Sequence, residues 1–333
     1  MRIAIDAMGG DNAPDEIVKG GLQAARENPH IRIVFVGDEN RIKKIIDEHG
    51  KGNEHYEIFH TTQVITNSDS PVASIKNKQD SSMVAGLKMI RKKEADVFVS
   101  AGNTGAFMVG ALLLVGRIKG VDRPALGSVI PTRKKGMLLL DMGANMDSKP
   151  QHLHQFAIMG KVYSESILKV KQPRIGLLNV GQEETKGNTL TKEVYKILKD
   201  DPDLNFIGNV EARDVLKGDC DVLVCDGFSG NILLKSIEGF AINFFEIIKT
   251  QIKKSMTNKI GGFLLKPAFM EIKKKLDYTE YGGAPFLGIN GICIKCHGSS
   301  NAKAVKNAVF QGEKFYTNKV LEKIKNHIEK GAI

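Results

Sequence analysis

The chain has no tryptophan, and its aromatic content is only 6%. Nucleic-acid surfaces combine basic residues with aromatic platforms for stacking, so a protein this poor in rings is not read as a nucleic-acid binder. Cysteine is scarce too, with four residues at 220, 225, 293 and 296. The opening MRIAIDAMGG lacks the charged, apolar and small-residue order of an export signal, so the expected setting is the cytoplasm with reduced thiols. The longest apolar run, from Gly105 to Gly116, is well short of the roughly 20 residues that span a bilayer. Both standard nucleotide fingerprints are missing: there is no strand-coupled G-x-G-x-x-G, and Gly181 to Gly187, which includes Lys186, lacks the order of a Walker A loop. No cofactor is expected.

What is present is a chain of 333 residues, 42% hydrophobic, enough for a substantial core. Lys and Arg number 48 against 38 Asp and Glu, a net charge of +10 that favours an acidic partner or an anionic surface. Short apolar, β-branched runs alternate with segments of helical period, the pattern of an α/β fold with a mostly parallel sheet flanked by helices. Strands are expected at Arg2 to Asp6, Ile31 to Gly37, Asp96 to Gly102, Met137 to Gly143, Arg174 to Gly181, Asn205 to Gly208 and Asp221 to Gly227. Helix ends are marked by Pro14, by Asp38 with Gly50, and by Pro150; a closing helix is expected from about Ser300 to Lys330. No repeat or linker divides the chain, so residues 1–333 are expected to form a single α/β catalytic domain.

One region departs from this alternation. From Phe240 to Leu276 a long helical pattern is interrupted by Gly261, Gly262 and Pro267, and between Lys249 and Lys275 the lysines face only Glu271. This predicts a protruding amphipathic helical hairpin, inserted at about residues 230–277, with its apolar Gly-Pro tip near Gly261. Such a hairpin suits either the interface of an anionic membrane or packing within a dimer. Beyond it, Asn290-Gly291 lies between two apolar runs, the usual sign of a β-hairpin turn.

Ligands of parallel sheets sit beyond the carboxyl ends of the strands. Five segments there are built alike: DAMGGDN, SAGNTGA, DMGAN, NVGQEETKGN and DGFSGN. Glycine allows close approach of backbone N–H groups, Ser, Thr and Asn add short donors, and a following helix aims its positive end at the same point. Together they predict a cradle for a small anion. The candidates are Asn103, Thr104, Gly105, Asn145, Gly227, Ser229, Gly230 and Asn231, with positive charge available from Lys186 and Lys235. Glycine-rich turns also punctuate any α/β protein, so the expectation rests on the group rather than on one loop. Cys293, Cys296 and His297 spell C-x-x-C-H, a haem or half-metal pattern, but they follow the Asn-Gly turn within a strand, and no metal site is expected. His297 opens the last helical segment and is a candidate lining residue, the alternative being a capped core histidine.

In order along nearly the whole chain, DAMGGD, SAGNTGA, DMGAN, LLNVGQEETKGN, DGFSGN and GGAPFLGINGICIKCHGSS resemble the bacterial acyl-carrier-protein:phosphate acyltransferase family. The resemblance implies a fold like the isopropylmalate dehydrogenases and phosphotransacetylases, and a homodimer. It implies conversion of acyl-carrier protein and inorganic phosphate into acyl phosphate, with peripheral association at the inner face of the membrane, where a membrane glycerol-phosphate acyltransferase consumes the product. Lys186 and Asn231 fall in the two motifs associated with catalysis. Lys186 would then stabilise charge on phosphate or oxyanion, Asn231 and the amides near Ser229 would contact the oxyanion, and Asn103, Thr104 and Asn145 would position phosphate. Two other readings stay open: a phosphotransacetylase using acyl-CoA, and a non-catalytic membrane-bound scaffold for acidic proteins.

Overall fold

The structure, a computed structural model, describes residues 1–52, 54–276 and 282–330. Among the described residues eleven strands form one sheet in two blocks. The first holds β1 (Arg2–Asp6), β2 (Arg32–Gly37), β3 (Tyr56–His60) and β4 (Val97–Ser100). At the junction lie β5 (Ala125–Pro131), β10 (Ala284–Leu287) and β11 (Ile292–Lys295). The second holds β6 (Gly136–Leu140), β7 (Arg174–Asn179), β8 (Asn205–Glu211) and β9 (Val222–Val224). In space the order is β3-β2-β1-β4-β11-β10-β5-β6-β9-β7-β8.

Both faces of the sheet are covered, which is why its central strands read as continuous apolar runs. Alternate residues of one strand enter different cores: Ile3, Ile5, Val97 and Val99 pack on one side, and Ala4 and Phe98 on the other. Helices α1 (Asp15–Glu27) and α10 (Ala302–Thr317) cover the first side. They approach so closely that a Cβ on Gly20 would stand 2.6 Å from the Ala302 carbonyl oxygen. Helices α4 (Ser82–Arg91) and α5 (Thr104–Gly110) cover the second. The remaining helices are α2 (Glu39–His49), α3 (Pro71–Asn77), α6 (Pro150–Tyr163), α7 (Thr189–Asp200), α8 (Gly227–Lys253), α9 (Met256–Leu276) and α11 (Val320–Lys330).

The sheet is not uniformly parallel. β10 pairs antiparallel with both β11 and β5, and β5 pairs antiparallel with β6, so β6, β7, β8 and β9 run opposite to β1, β2, β3, β4 and β11. The carboxyl ends of the two blocks therefore point in opposite directions. A stagger brings them together. Ala284 of β10 is level with Lys295 and Ser100 at the first block's rim, whereas Phe286 is level with Leu126, whose N–H and C=O bond Asp141 and Met142 at the second. Two residues of strand separate these levels, about 7 Å. The expected single rim is thus two rims that meet across β10.

Two expectations about helices change. The closing segment is two helices, divided at Asn318 and Lys319, where Lys319 takes φ +52° and Val320 turns into the core. The hairpin turns at Lys254 and Ser255, not near Gly261: Ser255 Oγ accepts the Asn258 N–H and so caps α9. Gly261, Gly262 and Pro267 lie inside α9, and a Cβ on Gly262 would come within 2.6 Å of Ile252, so this glycine lets α8 and α9 pack closely. The expected end of the insertion, 277, lies outside the described residues. Two strands, β3 and β5, were not anticipated. No helix among the described residues is long and apolar enough to cross a membrane.

Candidate active site

The first rim is knitted from three segments. Asp6, 2% exposed, ends β1; its Oδ1 accepts the Met8 N–H (3.2 Å) and its Oδ2 accepts the Ser100 hydroxyl (2.7 Å). Burial pushes this carboxyl above its usual range, and hydrogen bonds from Ser82, Ser100, Met8 and Gly9 oppose the rise. The DAMGGDN loop ties to CHGSS through Asp11 N–H to Gly298 O (2.8 Å) and Asn12 Nδ2 to Ser299 O (3.1 Å). Asn103 caps α5, its Oδ1 accepting the Ala106 N–H (2.9 Å), while its Nδ2 donates to the carbonyls of Thr66, Asn67 and Asp69. Thr104 and Gly105 form the exposed first turn of that helix.

The second rim is organised by Asp141, fully buried just after β6. It accepts from the backbone N–H groups of Leu126, Ala144 and Asn145, and from Asn145 Nδ2. Burial raises this carboxyl, and those bonds hold against it. Asn145 also donates to Pro124 O (2.7 Å) and accepts the Gly227 N–H on its carbonyl (2.8 Å). At the start of α8 the N-cap Asp226 accepts both the N–H (2.9 Å) and the hydroxyl (2.8 Å) of Ser229. Gly230 faces the Asp141 carbonyl so tightly that a Cβ would stand 1.9 Å from it.

These bonds correct the picture of an open cradle in DGFSGN. A helix start attracts anions through its unpaired N–H groups, but here the Asp226 carboxylate already fills that position. Gly227, Ser229 and Gly230 build the turn, and Asn103 and Asn145 hold loops. Three candidates remain uncommitted, one of them Thr104, whose exposed hydroxyl forms no hydrogen bond among the described residues. The Asn231 side chain forms no hydrogen bond among the described residues and faces Gly143, whose φ of +128° demands glycine. Lys186 is exposed and forms no ion pair there; its stem lies over Gly181, and its carbonyl accepts from Asn179 Nδ2 (3.2 Å).

Lys186 and Asn231 lie on different flanks of α8. Asn231 faces the β6–α6 loop, whereas Phe228, Ser229 and Ile232 line a cavity of about 680 Å³ shared with Asn179, Gly187 and Asn188 of the Lys186 loop. On the Asn231 side α8 also carries Lys235, which bonds Glu238 at 2.8 Å. Lys235 reaches across to the first rim: burial first, then this ammonium, depresses His297 below its ordinary value. Lys235 of α8 and His297 of the first rim are thus close enough to interact where the two rims meet. His297 is exposed, its Nδ1 bonded to Ser299 Oγ at 2.8 Å.

Sequence reasoning missed Lys295, a charged residue at a buried strand position, which was the available signal. The C-x-x-C-H reading fails on geometry. Residues three apart on a strand face opposite sides, and Cys293 and Cys296 indeed enter different cores. Burial pushes both thiols to about 12. Among the described residues no group of three or more His, Cys, Asp or Glu could hold a metal ion.

This double-block sheet is the fold of the phosphotransacetylases. The EutD phosphotransacetylase from Staphylococcus aureus superposes with TM-score 0.60 at 14% identity, over 95% of this chain and 94% of that one. A branched-chain phosphotransacylase from Enterococcus faecalis V583 gives 0.59 at 14% identity, over 95% and 99%. In sequence, residues 1–323 match the family described as "Fatty acid synthesis protein". Curated relatives named phosphate acyltransferase include those of Clostridium tetani, 52% identical over 98% of both chains, and Clostridium acetobutylicum, 50% identical over 99% of both. The chain belongs to this family of phosphate acyltransferase enzymes.

Proposed function

We propose that the chain, acting as a single α/β catalytic domain, forms acyl phosphate from acyl-[acyl-carrier protein] and inorganic phosphate for membrane phospholipid synthesis. The observation that carries the reading is that, among the described residues, the Asn231 and Lys186 side chains have no polar partner, where the neighbouring donors of Asn145 and Ser229 are spent on holding the rim. Phosphate is already an anionic nucleophile and a thioester is already activated, so alignment and oxyanion stabilisation are the main tasks. Asn231 supplies a neutral donor for the oxyanion, and Lys186 supplies charge. The α8 flank between them implies that the substrate spans the helix start or that a second copy, in a homodimer, completes the site.

The net charge of +10 suits an acidic carrier protein. Lys253 lies 22 residues beyond Asn231 on one helix, about 33 Å at 1.5 Å per residue, so the hairpin tip is remote from the chemistry. It carries Met256, Ile260, Phe263 and Leu264, between 59% and 74% exposed, beside Lys253, Lys254 and Lys259. This combination suits the anionic inner face of the membrane, from which the product passes to a glycerol-phosphate acyltransferase. The test mixes purified protein and phosphate with either long-chain acyl-carrier protein or acyl-CoA, and traps acyl phosphate with hydroxylamine. Phosphate-dependent acyl hydroxamate from the carrier substrate is expected; product from acyl-CoA alone makes the enzyme a phosphotransacetylase, and none from either rejects the reading.

A further inference from the structure

Lys295 ends β11 with its side chain folded beneath the first rim. The residue is 7% exposed, and its ammonium donates to the carbonyls of Ala101 (3.4 Å) and Cys296. Among the described residues no carboxylate lies within 4 Å of it. Taking an ammonium out of water without a counter-charge is strongly unfavourable, and carbonyl dipoles offset only part of the loss. The groups around it do not complete the pairing. Asp6, from β1, is held by Ser82, Ser100, Met8 and Gly9. Cys296, the next residue in the chain, Asp6, and Asp11 from the β1–α1 loop favour the charged form of Lys295 without forming an ion pair with it. Lys235, from α8, adds repulsion and already has Glu238 as its partner. Two residues on, His297 is close enough to feel both Lys295 and Lys235. The buried Lys295 ammonium therefore sits near a second lysine and an imidazole with no carboxylate among the described residues in direct contact with it.

We propose that Lys295 is a further catalytic residue, whose ammonium binds the inorganic phosphate that attacks the thioester; this rests on the acyl-transfer reading above. A phosphate oxygen forms the new C–O bond, the C–S bond breaks, and the departing thiolate takes up the proton that hydrogen phosphate carried, so the products are acyl phosphate and free thiol. Lys295 stays protonated throughout. Asn103 and Asn145 were expected to position phosphate, but their amides are engaged elsewhere, and Lys295 supplies the missing charge. Burial lowers Lys295 to about 8. Its charge is present below that pH and lost above it, so phosphate binding should weaken as pH rises through about 8.

The test is steady-state kinetics of the full chain with each substrate varied in turn, for wild type, Lys295→Met and Lys295→Arg, with melting followed in the presence and absence of inorganic phosphate. Lys295→Met should raise KM for phosphate at least tenfold, leave KM for the acyl substrate within threefold, and lose both the fall of kcat/KM above pH 8 and the phosphate-dependent rise in Tm. Lys295→Arg should recover part of the phosphate affinity and move the alkaline fall upward. A folded Lys295→Met with KM for phosphate within twofold of wild type overturns the proposal. So does an alkaline limb that stays in place in Lys295→Arg, which is decisive if Lys295→Met does not fold. Wild type that is stabilised by phosphate through Lys295 but forms no acyl phosphate would sink the acyl-transfer reading alone, leaving the phosphate site standing.

Discussion

Gly230→Ala tests the packing that places Asn231. In an ordinary helix interior alanine is favoured over glycine by about 1 kcal/mol. At Gly230 the added Cβ would stand 1.9 Å from the carbonyl oxygen of Asp141 and 2.8 Å from Cys225 Sγ. Neither obstacle is the end of a flexible chain: the carbonyl is backbone, and Cys225 Sγ is itself bonded to it at 3.3 Å. Overpacking of this kind costs about 1–3 kcal/mol. A backbone clash belongs at the top of that range, so crediting about 1 kcal/mol of propensity leaves a net loss near 2 kcal/mol. At roughly 2–4 °C per kcal/mol, Tm should fall by about 4–8 °C. Gly239→Ala, in the same helix with nothing within 4 Å of its Cβ, should instead stabilise by about 0.5–1 kcal/mol. Urea midpoints and Tm measure both, and single-turnover acyl transfer should slow in Gly230→Ala alone, because the strained contact sets Asn231 against Gly143. A Gly230→Ala protein as stable as wild type would refute the close packing of α8 on the Asp141 loop.

The other predictions concern the free groups and the surface. Asn231→Ala and Lys186→Ala should each slow single-turnover acyl transfer, by about 100-fold or more for the oxyanion donor; rates within twofold of wild type in both would remove these roles. Phe263→Asp with Leu264→Asp should abolish cosedimentation with anionic vesicles, and unchanged binding would leave the apolar hairpin to dimer packing. Association with acyl-carrier protein should slow as salt shortens the Debye length from about 30 Å at 0.01 M to about 8 Å at 0.15 M, whereas a salt-insensitive rate argues against charge steering.

Strands β1, β2, β4, β6, β7 and β9 could be read from sequence because burial on both faces leaves an apolar run that needs no context. β3 (YEIFH) is an edge strand with half-exposed residues and a terminal His60, and β5 (ALGSVIP) carries Gly127, Ser128 and Pro131, so neither shows that mark. The break at Lys319 and the turn at Ser255 depend on one backbone angle and one cap, against a helical pattern that runs on through both. Strand direction at β10 is also invisible locally, since an apolar run reads the same whichever way its neighbours point.

The site shows the limit most clearly in its asparagines. Asn103, Asn145 and Asn231 stand in similar glycine-rich turns after strands, and sequence treats them alike. Their availability is decided by the chain packed around each: the carbonyls of residues 66, 67 and 69 engage Asn103, and Pro124, 21 residues back, together with the nearby Asp141 engages Asn145. Among the described residues no carbonyl accepts from Asn231, whose side chain faces Gly143, held in a left-handed turn. Lys295 follows the same logic with the opposite outcome. A lysine within ICIKC reads as a strand residue that should snorkel to solvent, yet the Ala101 carbonyl and the overlying DAMGGDN loop keep it inside. Residue type sets what a side chain can donate; other segments, as far as 194 residues away for Lys295 and Ala101, determine whether that donor is left for a substrate.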